Sequence, residues 1–242
     1  MFAFAEVGAF NKRAAVTCSL AASLSMALVG AFSKSDYDIM FLLLIRCLVP
    51  LAVVAIAVFC LFREEIGCSN VLSHLIRGLL FLMNQAAFFY TVKHSNVLFG
   101  TLMFNMAPLY VPILAFLFYN ERTAQKILIA VVIGFFGAII AIRPQVETLF
   151  APATITGVSS GILLAASQLI LQKNVRNEAN LSCMFWFYLF STVLALAVCA
   201  IAYFANGYNV LDVSFANSMT WLVVVGISVS SLCFQYFTGK FF

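Results

Sequence analysis

The feature that most constrains this chain is a series of apolar segments, each about 20 residues long, separated by short polar connections. A helix needs about 20 apolar residues to cross roughly 30 Å of hydrocarbon. Segments of this kind occupy residues 14–33, 39–62, 72–92, 97–119, 125–143, 154–173, 181–204 and 217–238. They predict an all-α, polytopic membrane protein with about eight transmembrane helices.

Composition argues against a water-soluble fold. Of the 242 residues, 64% are hydrophobic and 9% are charged, whereas soluble domains have about 45–50% apolar and about 25% charged residues. Strands of a transmembrane barrel would alternate polar and apolar side chains, and these segments do not alternate. The first segment also exceeds the about 7–15 apolar residues of a signal peptide, so we expect it to be a retained helix.

Basic residues are distributed unevenly between the polar connections. If the chain crosses the membrane at every segment, one side collects nine Lys and Arg residues, Arg77 among them, and the other collects three. The positive-inside rule then places the N-terminus and the connections 63–70 and 172–180 in the cytoplasm. We expect a multi-pass protein of the inner or plasma membrane. The net charge of +4 follows from this topology, and no nucleic-acid partner is expected.

A polar stretch at 145–153 divides five apolar segments from three. A unit with an odd number of spans returns the chain on the opposite side, so a second copy begins upside down. AVVAIAVFCLF (52–62) weakly resembles ALAVCAIAYF (195–204), each closing the second helix of its half. We predict an inverted repeat of five-helix units, complete over 12–144 and incomplete, with three helices only, over 153–242.

Four motifs carry a resemblance to a known family. They are GAFSK (30–34), the arginine of LLLIRCLVP (42–50), NMAPLYVPILAFLFYNERT (105–123) and IGFFGAIIAIRP (133–144). Together they resemble the EamA type of the drug/metabolite transporter (DMT) superfamily, well over 14–144 and loosely over 154–240. The resemblance implies a ten-helix carrier of small metabolites. Since spans for eight are present, we expect a fragment or a truncated product; assembly of short chains into homo- or hetero-oligomers is the alternative.

The predicted function is secondary transport by alternating access. The substrate would be a small metabolite that is amino-acid-like, nucleoside-like or another small polar or amphipathic solute, and the other predicted partner is the lipid bilayer. The alternative is a non-transporting membrane protein, either an assembly subunit or the inactive product of a truncated gene.

Enzyme chemistry is not expected. The sequence has no H-E-x-x-H motif, no paired intramembrane carboxylates and no phosphate-cradling loop, so no catalytic residue and no cofactor is assigned. GVSSG (157–161) has the spacing of a nucleophile elbow, but it opens an apolar helix, which favours helix packing. The seven cysteines include no CxxC pair, so neither a metal site nor a disulfide is predicted.

Arg46 lies inside the second apolar segment. A charge near the centre of a membrane costs about 2.5 kcal/mol or more, and no Asp or Glu lies inside any predicted span. Arg46 therefore either faces a cavity, where it would meet an anionic group of the substrate, or extends to the outer interface or bonds backbone carbonyls. Pro50 leaves the Arg46 carbonyl without its helical partner, which favours a kinked helix at a cavity wall.

Amide side chains complete the predicted substrate-binding set. Gln85 and Gln235 occupy comparable places in the third helix of each half, although such amides also join helices for about 0.6–2 kcal/mol each. Asn105 stands at i, i+3 and i+7 spacing with Pro108 and Pro112, which predicts one shared face lined by freed carbonyls. A packing kink is the alternative role of these prolines.

Several residues near the ends of spans are assigned structural places. Tyr90, Trp186 and Tyr188 are predicted to lie in the aromatic belts at the membrane interfaces. His74 and His94 are placed at helix ends, in the polar connections.

Overall fold

The structure is a computed structural model that describes residues 12–62, 67–68, 70–120, 125–142, 151–175, 178–207 and 218–241. The helices are α1 Lys12–Ser33, α2 Ile39–Ile56, α3 Val71–His94, α4 Val97–Asn105, α5 Ala107–Tyr119, α6 Gln125–Ile142, α7 Pro152–Val175, α8 Asn180–Asn206 and α9 Ser218–Phe241, and a π-helical segment, Ala57–Phe62, continues α2. Most of the predicted break at 145–153, and parts of the connections 63–70 and 172–180, lie outside the described residues.

The helices follow the predicted spans and confirm an all-α, multi-pass membrane protein. Within the described residues, six helical stretches are long and apolar enough to cross a membrane, while α1 and α6 contain the shorter apolar segments Leu20–Ser33 and Leu128–Gly137. Large apolar side chains cover the outside of the bundle, among them Phe204 at 84% and Leu98 at 75% exposure. Such surfaces are suited to contact with lipid tails.

The fourth predicted span consists of two helices, α4 and α5, interrupted at Met106, where ψ is −7°. Pro108 has no N–H to continue the helical ladder, which accounts for the interruption at this point. Asn105 and Pro108 are exposed whereas Pro112 is buried, so the three predicted residues do not share one environment.

Two pairs of helices make the most extensive contacts, α3 with α7 and α1 with α9. The next largest are those of α2 and α3 with α8, so α2, α3 and α8 surround a common interior. GVSSG lies within the continuous helix α7, and the predicted helix-packing role is confirmed there. A Cβ atom at Gly161 would lie 2.7 Å from the backbone oxygen of Met103, so only glycine permits this approach.

Polar contacts hold neighbouring parts of the chain together at each end of the bundle. Near one end, Lys34 donates to three backbone carbonyls at the C-terminal end of α3, and Lys93 donates to carbonyls in the connection after α1. Cations are favourable beside the carbonyls that end a helix. At the other end, the indole of Trp186 on α8 donates to the carbonyl of Gly67 at 3.2 Å, so the connection before α3 lies against the first part of α8.

Candidate functional site

Arg46 on α2 lies inside the bundle, with no exposed surface. Within the described part of the chain, its hydrogen bond is from Nη2 to Sδ of Met26, at 3.5 Å, and its Nε and Nη1 have no partner. A thioether sulfur is a weak acceptor. The side chain therefore does not extend to the interface, as one interpretation of the sequence required, and its donors remain available.

Two phenylalanine rings of α3 lie beside the Arg46 guanidinium. Its Cζ lies 5.7 Å from the ring centroid of Phe81 and 5.9 Å from that of Phe89. Gln85 stands midway between these rings in sequence, and i, i+4 spacing puts all three on one face of α3. The amide nitrogen and oxygen of Gln85 are buried without a partner among the described residues. Arg46 and Gln85 thus belong to facing surfaces of α2 and α3.

Further buried polar atoms without a partner lie on α3 and α8. They belong to Asn84, Ser191 and Thr192 and, like those of Arg46 and Gln85, find no hydrogen bond in the described segments. Each such group costs about 1–3 kcal/mol if it stays unpaired. Native interiors contain few of them, so we take this interior as the candidate site.

Arg77 is a second buried arginine, on α3, and its assignment to the charges of a connection is wrong. It is 2% exposed. Its Nη2 donates to Oε1 of Gln235 at 3.1 Å, its Nη1 donates to the Cys183 carbonyl at 3.5 Å, and its Cζ lies 4.2 Å from the Phe187 centroid. Without Arg77 the basic residues divide eight against three, so the orientation prediction keeps its direction. Its position inside the third predicted span, 72–92, could have indicated that Arg77 is buried.

Gln235 and Tyr188 lie in the same interior. Gln235 is 5% exposed and is held by Arg77, so its oxygen is already engaged. Tyr188 has no exposed surface, and its hydroxyl bonds the backbone oxygen of Ser231 at 3.2 Å. The predicted place of Tyr188 in an aromatic belt is therefore wrong. It stands on the face of α8 that meets the bundle, beside Phe187.

Asn105 is the predicted site residue that the structure does not bring to this interior. It is the last residue of α4, and its side chain is exposed. Asn105 is therefore not buried with Arg46 and Gln85. Its assignment to the substrate site remains a prediction that the burial pattern does not favour.

A cluster of titratable side chains lies where the connections before α3 and α8 meet. His74, predicted to lie in a polar connection, has no exposed surface, and its Nε2 lies 2.9 Å from Oε2 of Glu178. The Cys183 thiol donates to the same oxygen at 3.4 Å. Burial, and next the charge of Glu178, raise the pKa of the Cys68 thiol. The sequence alone did not suggest this cluster.

With this geometry in place, comparison with known proteins decides the family. The model of the EamA-like transporter family matches residues 13–143, which is more than half of the chain. The chain belongs to the EamA-like transporter family. The resemblance drawn from the sequence motifs is thereby confirmed, including membership of the drug/metabolite transporter superfamily.

Similar curated proteins bear the name S-adenosylmethionine uptake transporter. The Rickettsia conorii protein is 28% identical over 172 residues, which are 71% of this chain and 55% of that protein. The Rickettsia felis protein is 27% identical over 172 residues, with the same shares. The Rickettsia bellii protein is 28% identical over 138 residues, 57% of this chain and 47% of that protein. The chain spans about half the length of the curated relatives it matches.

Proposed function

We propose that this EamA-like chain forms the substrate-binding part of a secondary transporter that moves a small metabolite across the inner or plasma membrane by alternating access. The observation that carries the proposal is the Arg46 guanidinium, which is fully buried and bonded only to a thioether among the described residues. A buried cation of this kind is costly unless a ligand satisfies it. The family supports the same function.

The helix contacts support an inverted repeat, a layout on which many alternating-access carriers are built. If α1 corresponds to α7, α2 to α8 and α3 to α9, the contact of α1 with α9 maps onto that of α7 with α3. These are the two most extensive contacts in the bundle, and the contact of α2 with α9 likewise maps onto that of α8 with α3. This pairing is what a two-fold axis between inverted units produces.

The site chemistry favours a substrate with a carboxylate or phosphate and an aromatic or amphipathic body. A guanidinium fork binds either anion through two donors, and the Phe81 and Phe89 rings offer apolar faces beside Arg46. S-adenosylmethionine, which the relatives' names specify, carries a carboxylate and an adenine ring. It is therefore the first substrate to test.

Equilibrium binding to the purified chain tests the substrate class. S-adenosylmethionine, amino acids, nucleosides and phosphorylated metabolites, each labelled in turn, are incubated with the chain in lipid nanodiscs and displaced by unlabelled compounds. We expect saturable binding that a compound with the same anionic group displaces and its amide or ester does not. Saturable binding of neutral compounds alone would contradict the proposed role of Arg46. Absence of saturable binding by every compound would contradict the proposed function itself.

The proposed orientation, with the N-terminus in the cytoplasm, is tested by labelling of single cysteines in intact cells. Asp36→Cys probes the connection after α1 and Gly67→Cys the connection before α3, both in a Cys68→Ser background. We expect a membrane-impermeant maleimide to modify Asp36→Cys only, and to modify both after the cells are opened. Modification of Gly67→Cys in intact cells would reverse the orientation.

A further inference from the structure

We propose that Cys68, His74 and Glu178 form a binding site for a divalent metal ion of the zinc class. Each residue offers one ligand atom, and these three atoms lie within 4.8 Å of one another. The site stands at the end of the bundle where the connections before α3 and α8 meet, apart from the Arg46 interior.

The spacing of the ligand atoms is close to that of a zinc site. Zinc binds thiolate sulfur at about 2.3 Å and imidazole nitrogen or carboxylate oxygen at about 2.0–2.2 Å, so tetrahedral ligand atoms lie about 3.3–3.8 Å apart. The His74 Nε2 and Glu178 Oε2 atoms, 2.9 Å apart, separate slightly on this geometry, and the Cys68 thiol moves inward.

The donor set selects the metal. A thiolate excludes Mg²⁺ and Ca²⁺, which take oxygen ligands, whereas sulfur, nitrogen and oxygen together suit zinc. The Cys183 thiol, bonded to the same Glu178 oxygen at 3.4 Å, is a second soft donor beside the site. The His74 and Glu178 side chains are 0% and 1% exposed, so bulk water does not compete freely for the metal.

Neighbouring side chains orient the imidazole as they do in metal sites. The Asn174 amide nitrogen lies 3.4 Å from Nδ1 of His74, and the Asn174 oxygen accepts from the Ser73 hydroxyl at 2.8 Å. Zinc on Nε2 moves the ring proton to Nδ1, and a flip of the Asn174 amide presents an oxygen to accept it. The thiol proton of Cys68 leaves to solvent when the sulfur binds the metal.

Metal binding at this place would join two distant parts of the chain. His74 and Glu178 are separated by 104 residues in sequence, so no short spacing motif marks the site. The metal would hold the start of α3 against the connection before α8. Cys183 lies between this cluster and Arg77, since its thiol donates to Glu178 and its carbonyl accepts from Arg77. Its predicted effect is to stabilise this end of the bundle.

Zinc titration of the purified chain, carrying a tag without histidine and competing against a chromogenic chelator, tests the site. We expect one zinc ion per chain, with binding lost in Cys68→Ser, His74→Ala and Glu178→Gln. Asn174→Ala, which removes only the orienting amide, should weaken zinc binding by about 10–100-fold. His94→Ala and Cys233→Ser are matched controls outside the cluster and should bind zinc as the wild type does.

A wild-type chain that binds no stoichiometric zinc would overturn the proposal, and so would equal losses in the control variants. Cobalt provides a readout that does not depend on the folding of any variant. The cobalt-loaded wild-type chain should show a thiolate-to-cobalt charge-transfer band, and zinc should protect Cys68 from alkylation. Cobalt binding without that band would contradict a site that includes a cysteine.

Discussion

Arg46 and Arg77 are both buried guanidiniums beside phenylalanine rings, but their hydrogen bonds differ. Arg77 donates to an amide oxygen and a backbone carbonyl and lies 4.2 Å from the Phe187 centroid. Among the described residues, Arg46 donates to a single thioether sulfur, and two phenylalanine rings lie 5.7 and 5.9 Å from it. The protein thus supplies good acceptors for one cation and a weak one for the other.

The difference separates a structural role from a binding role. A buried charge is tolerated where the surrounding groups satisfy it. Two of the three Arg77 nitrogens have oxygen acceptors, and its Nε has no partner among the described residues. At Arg46 we propose that the substrate supplies the missing acceptor. The two amides differ in the same way. Gln235 accepts a hydrogen bond from Arg77, whereas Gln85 lies on the face of α3 that meets Arg46. Substitutions at these residues should therefore differ in their effects on stability and on substrate affinity.

Arg77→Ala should have the largest effect on stability. Its loss removes a desolvated cation–π contact and hydrogen bonds of a charged group, and we expect unfolding free energy to fall by about 2–4 kcal/mol. Equilibrium unfolding in mixed micelles measures the change. Arg77→Lys keeps the charge but loses the two-donor fork, so its unfolding free energy should lie between those of the wild type and Arg77→Ala. A change no larger than that of Arg46→Ala would show that the two sites are alike.

Gln235→Leu should destabilise the protein by about 1.5–3 kcal/mol, because it removes an acceptor bonded to a charged group. The same unfolding measurement applies, with Gln235→Glu as a companion that keeps an acceptor. If Gln235→Leu were as stable as the wild type and instead weakened substrate binding alone, the amide would belong to the substrate site, as the sequence first suggested.

Tyr188→Phe should lower the unfolding free energy by about 0.5–1.5 kcal/mol, the net worth of one neutral hydrogen bond. The substitution keeps the buried ring and removes only the hydroxyl bonded to Ser231. Substrate affinity should stay unchanged, which equilibrium binding checks. A large loss of affinity would place this hydroxyl in the substrate site.

Gln85→Leu should have the smallest effect on stability, a stabilisation of no more than about 1 kcal/mol. The amide that it removes has no hydrogen-bond partner among the described residues. Substrate affinity should fall all the same. Unfolding and binding measured on one preparation separate these effects. Destabilisation as large as that of Gln235→Leu would show that Gln85 stabilises helix packing and does not serve as a substrate-binding residue.

The sequence predicted the helices well because membrane spans depend on one property, the length of an apolar run. Arg46 and Gln85 could be selected for the same reason, since polar groups inside such runs are rare. The contacts of Arg77 with Gln235 could not be predicted, because they join residues 158 positions apart. His74 and Glu178 were missed because proximity to a helix end does not determine burial. The exposure of Asn105 could not be predicted from its spacing to the two prolines.

The central claim is that Arg46 binds an anionic group of the substrate, and the affinities of Arg46→Lys and Arg46→Leu test it most directly. Lysine keeps the charge but loses the two-donor fork, so affinity should fall by about tenfold; leucine removes the charge and should lower affinity by about a hundredfold or more. The Leu variant should nevertheless insert and unfold like the wild type. A well-folded Arg46→Leu protein with wild-type affinity would contradict this account.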